Sequence, residues 1–93
     1  MPRYYFDLYN DVVAIDPEGQ ELTDLNAALA HALCEARTMI QASVAETGRI
    51  DLRHHLDIRD EADKVVYVLP FEDAVTVQRG DEVLSRGGPV RLL

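Results

Sequence analysis

The sequence predicts an α+β domain of order β-β-α-β-β, four antiparallel strands with one long helix packed on one face. Three observations carry that expectation. A single long stretch, Asp24 to Thr47, has helical periodicity. The segments on either side of it alternate between apolar and polar residues and are rich in Val, Tyr, Leu and Ile. Turn-forming residues divide each flank into two runs of strand length. At 93 residues the chain holds one small core. Residues 1–75 are expected to form the domain, and residues 76–93 a short C-terminal tail.

Arg3 to Tyr9 places Tyr4, Phe6 and Leu8 on one face and Arg3, Tyr5, Asp7 and Tyr9 on the other. Asn10-Asp11 is a turn dipeptide, since both residues tolerate left-handed conformations. Val12 to Ile15 is then the returning strand, ended by Pro17, which lacks a ladder donor, and by Gly19.

In the helix, Leu25, Ala28, Leu29, Ala32, Leu33, Ala36, Ile40 and Val44 recur at three- and four-residue steps and form an apolar stripe. Thr23 and Asp24 are both N-cap candidates, and Gly48 is the C-terminal stop. About 22 helical residues make a rod of roughly 33 Å, whereas a seven-residue strand is about 23 Å long. The helix must follow the strand direction or overhang the sheet, and an overhang is open to a partner.

Arg53 to Asp60 alternates again, with His54, Leu56 and Ile58 opposite Arg53, His55, Asp57 and Arg59. Glu61-Ala62-Asp63 is the turn, and Lys64 to Leu69 returns. In that last run Val65, Tyr67 and Leu69 share one face and Val66 and Val68 the other. A strand apolar on both faces is expected at the centre of a sheet, covered on both sides. Pro70 ends it, and Phe71 to Val75 suits one helical turn over the core. In the tail, Thr76 to Arg79 and Glu82 to Ser85 suit a weak hairpin around Gly80-Asp81.

The opening MPRYYF resembles a family of short, uncharacterised bacterial proteins, a domain of unknown function whose members begin M-P-R-Y-[FY]-F. Their D-x-x-G-x-x-L-x-D segment looks like Asp16, Gly19, Leu22 and Asp24, and is followed by an Ala-rich helix. Their later D-E-x-G turn and L-P-F-x-D-A motif look like Asp60-Glu61, Leu69-Pro70-Phe71 and Asp73-Ala74. The resemblance covers roughly residues 1 to 75. Asp63 stands where the family usually has Gly, and the first hairpin loop is shorter than usual. The resemblance implies the fold boundaries and supplies no catalytic residues.

Charge and composition exclude several classes of function. Seventeen acidic against nine basic side chains give a formal charge of -8. Residues 1–75 hold six basic and fifteen acidic side chains, and residues 76–93 hold three basic and two acidic. Such a body repels phosphate backbones, so a nucleic-acid binder using Arg3, Arg53, Arg59 and the tail arginines is the weakest alternative. One cysteine rules out an internal disulfide framework and suits a reducing cytoplasm. No apolar run is long enough to span a bilayer, and the N-terminus lacks a signal-peptide pattern, so no membrane partner is expected.

Candidate chemistry is sparse. His31, Cys34 and Glu35 lie within one helical turn, but no second Cys or His cluster has metal-ligand spacing, so no metal is expected. His54 and His55 are adjacent on a strand and leave opposite faces, which prevents joint chelation. Cys34 lies mid-helix beside Glu35, with no helix N-terminus or assured cation to activate a thiolate. No phosphate loop or acid–base pair is present, so neither enzyme activity nor a cofactor is expected.

Two surfaces remain as candidates for contact with another chain. On the far side of the helix, Ala27, Ala30 and Cys34 are small and poorly charged, where a solvated face normally carries Lys and Glu. On the sheet face away from the helix, Tyr5, Tyr9, Val66 and Val68 suggest an open apolar surface. The alternative cover for that face is the tail, through Val90, Leu92 and Leu93. The expectation is a non-enzymatic, homo-oligomeric (dimeric) interaction module. An antitoxin-like regulatory protein acting through a partner is the alternative.

Overall fold

A computed structural model describes residues 1–87. It contains β1 (Arg3–Tyr9), β2 (Val13–Ala14), β3 (Gln20–Glu21), α1 (Leu25–Thr47), β4 (His55–Arg59), β5 (Val65–Pro70), α2 (Phe71–Ala74), β6 (Val77–Arg79) and β7 (Glu82–Ser85). The fold is α+β, with an antiparallel sheet of order β2-β1-β4-β5 and a separate β6-β7 hairpin. Gly80 turns that hairpin at a φ of 58°. The predicted tail contacts Val90, Leu92 and Leu93 lie outside the described residues.

The edge strand beside β1 comes in two pieces. β2 pairs with Leu8 and Tyr9, and β3 pairs with Arg3 and Tyr4. Between them the Phe6 N–H faces the same edge, with no strand opposite. The Asp16 carboxylate fills the gap, its Oδ2 accepting from Phe6 N at 3.1 Å. Its Oδ1 accepts from the N–H groups of Glu18 and Gly19, closing the loop. Gly19 sits at a φ of +68°, and an added Cβ would come within 2.7 Å of the Tyr4 carbonyl oxygen. Glycine meets both demands at once. The returning strand predicted over Val12 to Ile15 is therefore shorter, and β3 is an additional strand.

α1 begins at Asp24, whose side chain accepts from Ala27 N, and ends at Gly48 in the left-handed region. Ala28, Ala32 and Ala36 are fully buried, which lets the helix backbone approach the sheet closely. With Leu29, Ile40, Phe6, Leu56, Ile58, Leu69, Phe71 and Ala74 they form the core. The buried stripe stops at Ile40. Val44, expected to continue it, is 49% exposed, and from Gln41 to Thr47 every residue but Ser43 is exposed. This exposed end of α1, termed the overhang, spans about 10 Å at about 1.5 Å per residue.

Among the described residues β5 lies at the edge of the sheet, paired with β4, rather than at the centre as its apolar character suggests. A bulge accounts for that apolar character. The pairing shifts between Ile58 and Arg59, so that Tyr67 stands opposite Ile58, Val65 opposite Arg59, and Val66 is the extra residue between them. Val66 packs against the core beside Tyr67, and Val65 is left 46% exposed. α2 follows at once. Ala74 is buried, and its carbonyl accepts from Arg37 Nε at 2.8 Å, tying α2 to α1.

Candidate interaction faces and a cleft at the helix overhang

α1 covers one face of the sheet. The shortest dimension of the molecule, 16 Å, is that of one sheet and one helix. On the opposite face, cross-strand register sets Tyr5 against Arg59, Asp7 against Asp57, and Tyr9 against His55. Asp7 is 2% exposed and Asp57 9%. Like charges directly opposite one another on a sheet are destabilising, and buried ones more so, unless each has a hydrogen-bonding partner. Each does. Arg59 donates to Asp7 through Nε at 2.9 Å and through a terminal nitrogen at 3.3 Å. His55 Nδ1 lies 2.8 Å from Asp57 Oδ1.

The two aromatic rings complete this layer. The Arg59 guanidinium lies 4.6 Å from the Tyr5 ring centre, and the Tyr9 and His55 rings stack at 4.8 Å. Arg59 also reaches the Asp16 carbonyl and the Asp63 carboxylate, while Asp16 N donates to Asp7 Oδ1. Hydrogen bonding to the Asp7 carboxylate raises the Arg59 pKa against the opposing effect of burial, with Asp63 adding to it. For Asp16, burial works to raise the pKa. The backbone N–H groups of Gly19, Phe6 and Glu18 outweigh it, helped by the Arg59 charge, and hold the carboxyl below its usual range.

The open face is thus a set of mutually bound charges and rings, not the apolar surface expected from Tyr5, Tyr9, Val66 and Val68. Val66 has turned to the core side, and Val65 takes its place beside Val68, which is 47% exposed. Arg59, named among the arginines a nucleic-acid binder would use, is bound to Asp7 and Asp63.

The far side of α1 carries Ala30 and Cys34 exposed and Ala27 half-buried. His31 pairs with Glu35 at 3.1 Å and its ring lies 4.6 Å from that of Phe6, so it is drawn away from Cys34. Among the described residues no three His, Cys, Asp or Glu side chains converge to hold a metal ion.

A third feature had no clear sequence signal. Beneath the overhanging end of α1 lies a cleft of about 310 Å³, bounded by the Asn10–Asp11 turn, the chain around Ile50 and Asp51, His54 and Phe71. Its walls are pinned from several sides. Ser43 Oγ donates to the Arg49 carbonyl at 2.7 Å, Phe71 N to that of His54, and Glu72 N to that of Leu52. His54 Nε2 stands 3.5 Å from Asp11 and 3.4 Å from Asp51, with its ring edge-on to Phe71. His54 and His55 therefore serve opposite sides of the molecule. Three separated segments, around residues 10–11, 39–54 and 71, build this cleft, which is why periodicity and spacing did not reveal it.

The fold and these surfaces define a two-layer α+β domain with one sheet face that no described element covers, whose sequence motifs do architectural work. Asp16, Gly19, Leu22 and Asp24 form the loop, the packing contact and the helix cap. Asp60 closes the second turn by accepting from Ala62 N and Lys64 N, and Asp63 takes the positive φ, 65°, for which glycine is better suited. Residues 3–72 match the family DUF6894, a domain of unknown function, and the chain belongs to that family. Neither the curated proteins nor the solved structures contain a match to it.

Proposed function

We propose that the protein is a non-enzymatic, self-associating interaction module of the cytoplasm, with the uncovered sheet face as its contact surface. One observation carries this reading. That face holds Tyr5, Tyr9 and Arg59 in fixed positions through stacking and ion pairing, beside exposed Val65 and Val68. Tyr and Arg held rigidly next to apolar side chains are the composition of interface centres, because little conformational entropy is lost on contact. The acidic and basic groups are bound to one another, which suits recognition better than proton transfer. The free Cys34 suits a reducing compartment.

Sedimentation equilibrium tests this reading. A dimer at tens of micromolar is expected for the wild type, and a monomer for Val68→Lys, which places a charge within the contact without touching the core. Ala30→Glu, on the far side of α1, is expected to remain dimeric. A wild-type monomer throughout that range overturns the proposal. A dimer lost in Ala30→Glu and kept in Val68→Lys moves the contact to the helix.

A further inference from the structure

We propose that the cleft under the end of α1 receives a lysine or arginine side chain presented by another polypeptide. The shape comes first. At about 310 Å³ it is the size of a small binding pocket, and its hydrogen-bonded walls make it preformed. Its floor is apolar, formed by Ile40, Phe71 and the partly exposed Met39 and Ile50. Its rim carries Asp11, Glu46 and Asp51, and among the described residues no lysine or arginine lines it. Arg49 borders only the smaller adjoining recess of about 100 Å³.

An apolar floor below an acidic rim complements a side chain with an aliphatic stem and a cationic head. The Asp11 side chain is 86% exposed, and its 3.5 Å approach to His54 leaves it available to an incoming cation. A hard metal ion is a poor occupant, since it needs a shell of converging oxygens that the described residues do not form. A polypeptide suits the site better than a free amine for a further reason. Met39, Val44 and Ile50 are each at least 38% exposed, and residues flanking the basic side chain would cover them. The site is separate from the uncovered sheet face and does not depend on self-association there.

The test uses the capped tripeptide acetyl-Ala-Arg-Ala-amide, titrated into the full chain and followed by amide and methyl chemical shifts. Saturable shifts confined to the Asp11, Ile50, Asp51 and His54 region are expected. The citrulline counterpart, equal in shape and uncharged, should bind roughly tenfold more weakly, the worth of two exposed ion pairs. Agmatine, which carries the guanidinium without a peptide backbone, should also bind more weakly than the tripeptide. The double variant Asp11→Asn with Glu46→Gln alters only exposed side chains and should lose about tenfold in affinity for the tripeptide. Absence of saturable shifts, equal binding of the citrulline peptide, or unchanged affinity in the double variant overturns the proposal. Agmatine binding as tightly as the tripeptide overturns the polypeptide as its source.

Discussion

At the scale of single residues, Asp16 has the widest reach. Its two carboxylate oxygens accept from three backbone N–H groups, and its own backbone ties to Asp7 and Arg59. Asp16→Asn leaves one carbonyl oxygen to serve three donors, so at least one of them loses its acceptor. A loss of about 1–3 kcal/mol in stability at neutral pH is expected, measured by urea denaturation. The pH dependence follows from the lowered pKa. A carboxylate with a folded-state value below its unfolded one contributes fully above the unfolded value, about 3.9, and that contribution fades as pH falls through the folded value. The gap between wild type and Asp16→Asn should therefore be constant from neutrality to about pH 4 and narrow below it. None of this was legible in the sequence beyond a turn at Pro17 and Gly19. The partners of Asp16 lie ten residues upstream, in Phe6, and 43 residues downstream, in Arg59.

At the scale of elements, α1 was the most legible part, because its signals agree: a capping Asp24, a terminating Gly48 and apolar residues at helical spacing. Its contact with the sheet rests on small residues. Ala28, Ala32 and Ala36 leave no space beside them, so Ala32→Leu should push the helix from the sheet and lower stability by about 1–3 kcal/mol. A reduced denaturation midpoint with an unchanged slope would show that packing is lost while the fold is kept. β1 was equally plain in the alternation of Tyr4, Phe6 and Leu8. β3 was not, since Gln20-Glu21 is polar, two residues long and held by its neighbours rather than by its own pattern. The bulge in β5 was hidden for the opposite reason. From Val65 to Val68 every side chain is apolar or aromatic, so a one-residue slip leaves the pattern unchanged while reversing which side chain faces the core.

At the scale of the whole molecule, a net charge of -8 on 93 residues opposes the approach of two copies. On the proposed contact face Asp7 is bound to Arg59 and Asp57 to His55, so the repulsion from the remaining charge is long-range and subject to screening. Dimerisation should strengthen as sodium chloride rises from about 0.05 to about 0.5 M, since the Debye length shrinks well below the size of the protein. An interface held by exposed ion pairs would weaken instead, and sedimentation at the two salt concentrations separates the cases. A sheet face without a helix over it was foreseeable from a fold with a single long helix. Its composition was not, because Asp7 and Asp57 become neighbours only when β1 and β4 pair.

That pairing also bears on the order in which the chain can fold. Of the elements of this sheet β1 is synthesised first, yet it lies inside the sheet, and its longer partner β4 arrives some fifty residues later. Until then only β2 and β3, two residues each, are available to it, on one edge. Closing the β1–β4 pair brings together a segment of high sequence separation, which is slow relative to forming a helix. α1 is complete before that moment and carries the apolar stripe on which Phe6 will rest. The first strand made is thus among the last to be finished, and the helix between is the surface on which it waits.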